Sequence, residues 1–77
     1  MKKTGMSAIS IIAMVERLVP QDQIAGLGYD IGTQSVIATI YDKKRTKYMT
    51  MGLTPYSVPS REIRDAVRYA LHQLDKK

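Results

Sequence analysis

The sequence predicts an α+β domain: a three-stranded antiparallel meander flanked by two helices, in the order α-β-β-β-α. Three observations predict it. Apolar residues recur with helical spacing near both ends of the chain. They alternate with strand spacing in between. Short polar turns and prolines separate these segments. With 77 residues, the whole chain (1–77) is expected to form a single small domain.

The first helix is read over Ser7 to Val19. Ala8, Ile11, Ile12, Val15 and Val19 fall on one face, and Ile9, Ala13 and Leu18 widen it. A helix so apolar is expected to be largely covered. Ser7 can cap its start and Pro20 stops it. Ile24 to Ile31 reads as the first strand, with a bulge or close backbone contact at Gly26 or Gly28. Gly32-Thr33-Gln34 is the turn, where Gly32 is free to take a positive φ. Ser35 to Tyr41 is the second strand, rich in β-branched residues. Its faces are Val36, Ala38, Ile40 and Ile37, Thr39, Tyr41. After the polar turn Asp42-Lys43-Lys44-Arg45, Thr46 to Leu53 is the third strand. Lys47, Met49, Met51 and Leu53 face one way, Tyr48 and Thr50 the other.

Thr54 to Ser60 contains Pro55 and Pro59 and reads as an extended connector. Pro59 suits a first helical turn, with Ser60 as an alternative cap. The last helix carries a continuous apolar stripe, Ile63, Ala66, Val67, Ala70, Leu71 and Leu74. Asp75-Lys76-Lys77 is expected to fray. Both helices pack most economically on one face of the sheet, which leaves the other open or to a partner; Thr39, Tyr41, Tyr48 and Thr50 are its polar residues unless a one-residue bulge reverses the faces.

Composition narrows the chemistry. There is no cysteine, so disulfides and thiolate metal sites are excluded, and the single histidine, His72, excludes a multi-histidine site. Asp22, Asp30 and Asp42 fall on separate turns, so no paired-carboxylate centre is evident. His72 has no nucleophile or ligand at useful spacing and reads as a surface residue. The expectation is a non-enzymatic protein without catalytic residues, metal or cofactor. No stretch approaches the roughly 18 apolar residues that span a bilayer. Met1-Lys2-Lys3 followed by Ile9–Val15 only faintly imitates a signal peptide, because Ser10, Glu16 and Arg17 break the pattern. A cytoplasmic protein that does not enter the membrane is expected. Phe and Trp are absent, and five Met and five Tyr help to fill the core. Such a core is plastic or has a partner-covered face, which leaves room for a homo-oligomer.

The net charge of +5 favours an anionic partner, with plain solubility as the competing explanation. Lys43, Lys44, Arg45 and Lys47 cluster at a hairpin tip, where they can meet phosphates, and Tyr41 and Tyr48 flank them with stacking faces. Solvated edge lysines that discourage strand pairing would look the same. Arg61, Arg64 and Arg68 form a second basic line on the last helix, near enough to Glu62 and Asp65 to be partly neutralised. The leading expectation is a small basic module that binds nucleic acid, RNA or DNA, through these residues, provided the two basic groups converge. The rival is a protein-interaction module that regulates a host enzyme through a Met-rich sheet face or an exposed strand edge.

Two resemblances bear on these readings. Gly28-Tyr29-Asp30-Ile31-Gly32-Thr33-Gln34-Ser35-Val36 resembles the first phosphate hairpin of actin-like ATPases and sugar kinases. That likeness implies nucleotide contacts from Asp30, Gly32 and Thr33. The chain is several times too short for the two domains that close such a site, so it implies at most a nucleotide-binding fragment. The α-β-β-β-α order is similar to the double-stranded-RNA-binding fold, to HicA-type mRNA interferase toxins and to short phage proteins. Those toxins carry a hairpin histidine within Gly-Ser-His. Here the hairpin reads Gly32-Thr33-Gln34-Ser35, so the likeness implies shape and a phage or mobile-element setting, not the catalytic residue.

Overall fold

The computed structural model describes residues 5–76; the Met1-Lys2-Lys3 start and Lys77, considered above, lie outside them. The elements are α1 (Ala8–Leu18), a 3-10 turn (Gln21–Gln23), β1 (Ile24–Asp30), β2 (Ser35–Tyr41), β3 (Tyr48–Leu53) and α2 (Ser60–Asp75). The strands form one antiparallel sheet in the order β1-β2-β3, which is the expected meander.

Local chemistry sets the helix ends. The Ser7 side chain accepts the Ser10 N–H at 3.2 Å, satisfying a free donor of the first turn of α1. At the other end, the Val19 N–H donates to the Val15 carbonyl at 2.9 Å before Pro20 stops the helix. α2 begins at Ser60, with Pro59 just outside it. The Pro59 carbonyl accepts the N–H groups of Glu62 at 3.0 Å and Ile63 at 3.3 Å.

The core forms on one face of the sheet only. Val36, Ala38 and Ile40 of β2 are fully buried together with Ile11 and Val15 of α1 and Val67 of α2. Ile63 and Leu74 extend this cluster along α2, and Leu53 closes it on β3. Each aliphatic side chain larger than alanine that is removed from water in this way contributes about 1.5–3 kcal/mol. α1 lies over β1 and β2, while α2 reaches β3. The opposite face carries the Tyr41–Tyr48 pair, the Thr39–Thr50 pair with its hydroxyls 3.0 Å apart, and a row in which Ile37 lies between Gly28 and Gly52.

Several expectations are corrected. β1 ends at Asp30, because the Asp30 carboxylate draws the chain into a turn at Ile31, which is 82% exposed. β3 starts at Tyr48, because the N–H groups of Thr46 and Lys47 are bound to Asp42. The bulge lies between Ile24 and Gly26, one step before the expected glycines. Gly32 does not take the positive φ of its turn; Gln34 does, at 55°. In α1 only Ile11 and Val15 are buried, and Ile9 is 80% exposed, so this helix is not largely covered. Ala66 is exposed and Leu71 half-buried, so the α2 stripe is narrower than its sequence suggests. Asp75 does not fray: it is the last helical residue and holds a tertiary hydrogen bond.

Gly5 and Gly32 make a useful contrast. Gly5 has φ +78°, and a Cβ there would collide with the Val58 carbonyl oxygen. A Cβ on Gly32 would meet only the Asp30 carboxylate oxygens, at 3.8 Å. Thermal denaturation is therefore expected to show Gly5→Ala destabilised by at least about 1 kcal/mol. Gly32→Ala should stay within about 0.5 kcal/mol of the parent.

Candidate functional site

The β2–β3 loop is built around the side chain of Asp42. Its carboxylate accepts the Thr46 N–H at 2.7 Å, the Thr46 hydroxyl at 2.8 Å and the Lys47 N–H at 3.1 Å. The Asp42 N–H donates to the Lys47 carbonyl at 3.0 Å, which closes the loop. Within it, the Arg45 N–H donates to the Asp42 carbonyl at 3.0 Å and Arg45 takes φ 59°. Asp42 is 6% exposed. Burial works against its charge, but the hydrogen bonds from Thr46 and Lys47 and the Lys47 ammonium outweigh that, so its carboxyl is held below the ordinary aspartate value. A short Asp side chain followed by Thr four positions later suits this self-bonded loop.

The loop meets the end of α2. The Asp75 carboxylate accepts the Lys43 N–H at 3.0 Å, and the Lys47 Nζ lies 3.5 Å from the Lys76 carbonyl oxygen. Between them is an open cleft of about 430 Å³ lined by Lys43, Lys44, Lys47 and Lys76, with Asp42 and Asp75 already engaged by loop N–H groups. Lys76, expected at a frayed end, lines this cleft. Its signal was Asp75: an acid at a helix C-terminus opposes the helix dipole and calls for a tertiary partner.

On the other side of the same loop stand the aromatics. Tyr41 and Tyr48 are directly opposed across β2 and β3 on the uncovered sheet face, and Tyr48 is 66% exposed. The Arg45 guanidinium lies 5.7 Å from the centre of the Tyr41 ring, within cation–π range. Its Nε also donates to the Asp22 carbonyl at 3.0 Å, which ties the loop to the 3-10 turn just before β1. Gln23, a buried residue that sequence patterning missed, donates from Nε2 to the Tyr41 carbonyl at 3.0 Å and fixes the end of β2.

The two basic groups do not form one compact patch. Asp75 marks where α2 meets the loop, and Arg61 lies fourteen residues earlier, about 21 Å along the helix. Arg68, on the same seven-residue stripe, is about 10 Å away. Arg64 is half-buried, and its enclosed Nε has no hydrogen-bond partner among the described residues. Neither Glu62 nor Asp65 forms an ion pair with these arginines among the described residues. His72 is exposed.

The Asp30 turn is internally engaged. Asp30 accepts the Thr33 hydroxyl at 2.6 Å and the Thr33 N–H at 3.2 Å, and these bonds lower its pKa. Both Thr33 groups that a phosphate would need are thus turned toward a carboxylate. The described residues contain no group of three or more His, Cys, Asp or Glu side chains placed to hold a metal ion, and no helix among them is long and apolar enough to cross a membrane. Compared with protein-family models, curated proteins and solved structures, the chain finds no match.

Because the folded pKa of Asp42 is lowered, the charged carboxylate favours the native state above its unfolded pKa of about 3.9. That contribution disappears as pH falls through the folded value. Melting temperature is expected to hold steady above about pH 5 and to drop below about pH 4. Asp42→Asn should melt lower at neutral pH and show a shallower acid slope, measured by circular dichroism across that range.

Proposed function

We propose that this protein is a small non-enzymatic module that binds single-stranded nucleic acid, RNA or DNA, in the cytoplasm. The supporting observation is the position of the Tyr41–Tyr48 pair on an uncovered sheet face, at the same end of the molecule as Arg45 and the cleft of Lys43, Lys44, Lys47 and Lys76. Unpaired bases stack on exposed aromatic rings whatever their sequence, while adjacent cations hold the backbone. A duplex hides its base faces and could use only the lysines. Arg68 continues the path along α2; Arg61 and Arg64 lie too far away for a short ligand. The phage or mobile-element setting and the double-stranded-RNA-binding likeness remain part of this proposal as a likeness of shape only.

The rival reading, a regulator of a host enzyme, loses one of its two surfaces. Met49 and Met51 are half-buried against the core under the helices, which leaves an exposed strand edge as its means of docking.

Titration of labelled single-stranded and duplex RNA and DNA at several salt concentrations tests the proposal. Affinity should fall steeply with salt and favour single strands. Tyr48→Ala should weaken single-strand binding about tenfold, in line with roughly 1–3 kcal/mol per stacked base. Lys43→Glu with Lys44→Glu should reduce binding further, whereas Arg61→Glu should change it little. Arg45 is left intact because it also shapes the loop. Salt-independent binding, or equal affinity for duplex and single strand, would defeat the proposal.

A further inference from the structure

We infer that the chain pairs with a second copy of itself through β1 and the adjoining side of α1, two β1 strands running antiparallel across a two-fold axis. The first observation is the edge itself. β1 reads Ile-Ala-Gly-Leu-Gly-Tyr-Asp and has no lysine, arginine or proline along its free side. Charged residues, prolines and bulges normally guard such an edge, since its free N–H and C=O groups can pair with another strand; here the guard is the bulge at Ala25, and Gly26 to Asp30 run in regular register. β3, the other edge, is flanked by Lys47 and Pro55.

The second observation is independent of the strand. Six of the eight aliphatic or Met residues of α1 are buried or packed against the core, but Ile9 stays 80% exposed, with Ala13 exposed on the same side. An isoleucine left in water to this extent can still bury apolar area against a partner. α1 packs over β1 and β2, so its uncovered side adjoins the open edge. Ile9 of α1 and Tyr29 of β1 line one cleft of about 370 Å³.

Three features favour a second copy as the occupant. The strand is compatible with its own reverse: centred on Leu27, Tyr29 falls opposite Ala25, and Gly26 opposite Gly28. The only large aromatic therefore meets a small residue. A two-fold contact of this kind is self-closing and leaves no free β1 edge. The charge distribution also permits it. Each chain carries +5, and the basic loop sits at the start of β1 through the Arg45–Asp22 contact. Antiparallel pairing sends the two loops to opposite ends of a strand about 23 Å long. That exceeds the screening length of about 8 Å at physiological salt, so their repulsion is largely removed.

The test is the mass in solution by light scattering and sedimentation over a wide concentration range. The expected result is a species of twice the 8.7 kDa of one chain. Ile9→Lys, at a position too exposed to affect the fold, should raise the dimer dissociation constant at least about tenfold, as expected for an apolar side chain withheld from the interface. Ala25→Lys should do the same. Tyr69→Lys, comparably exposed on α2, should leave the dimer unchanged. Circular dichroism checks that each variant is folded, and Ile9→Lys decides the matter if Ala25→Lys is not. A single-chain mass at high concentration would overturn the inference. So would a dimer that survives Ile9→Lys, or one that Tyr69→Lys dissociates.

Discussion

The carboxylate of Asp42 is the interaction on which the loop end of the molecule depends. It is nearly buried at the end of β2, and it accepts three hydrogen bonds from the two residues that lead into β3. A loop holding Lys43, Lys44, Arg45 and Lys47 would otherwise spread by mutual repulsion. The buried negative charge, enclosed by the loop backbone, opposes that tendency and fixes where each cation emerges. Lys43 and Lys47 are placed toward the end of α2, and Arg45 over Tyr41. One side chain thus determines both a lysine cleft and the cation beside the tyrosine pair.

The same arrangement explains how a small chain without cysteine is held together. Its core is a single layer between one sheet face and two helices, anchored by Val36, Ala38 and Ile40. Polar contacts fasten its loop end. Asp75 holds the Lys43 N–H, Gln23 holds the Tyr41 carbonyl, and Arg45 holds the Asp22 carbonyl. These three bonds tie the end of α2 and the 3-10 turn to the loop and the end of β2. The uncovered sheet face and the free side of α1 lie outside that arrangement, and both readings of function draw on surfaces that the fold leaves open.

Much of the architecture was legible from residue order. The α-β-β-β-α succession, the Ser7 cap and the Pro20 stop follow from periodicities and local chemistry that act over a few residues. Tyr41 stands across from Tyr48 because the longer loop held by Asp42, and not the four-residue turn expected from the sequence, sets the register of β2 and β3. The hairpin boundaries were misread where side chains compete with ladder hydrogen bonds. Asp30 ended β1 early and Asp42 delayed β3, since each carboxylate captured N–H groups that alternation alone would assign to a strand.

The sequence by itself determined the element order, the alternation of β2 and the positive character of the second loop. These depend on spacing between neighbours in the chain. Only the tertiary structure decided which cations meet. α2 runs from the Leu53 end of the sheet to the Tyr48 end, so its last residues, Asp75 and Lys76, join the loop while Arg61 stands a helix length away. It also decided how much of α1 is covered, because burial depends on what packs alongside a helix, and that is not encoded in the helix's own periodicity.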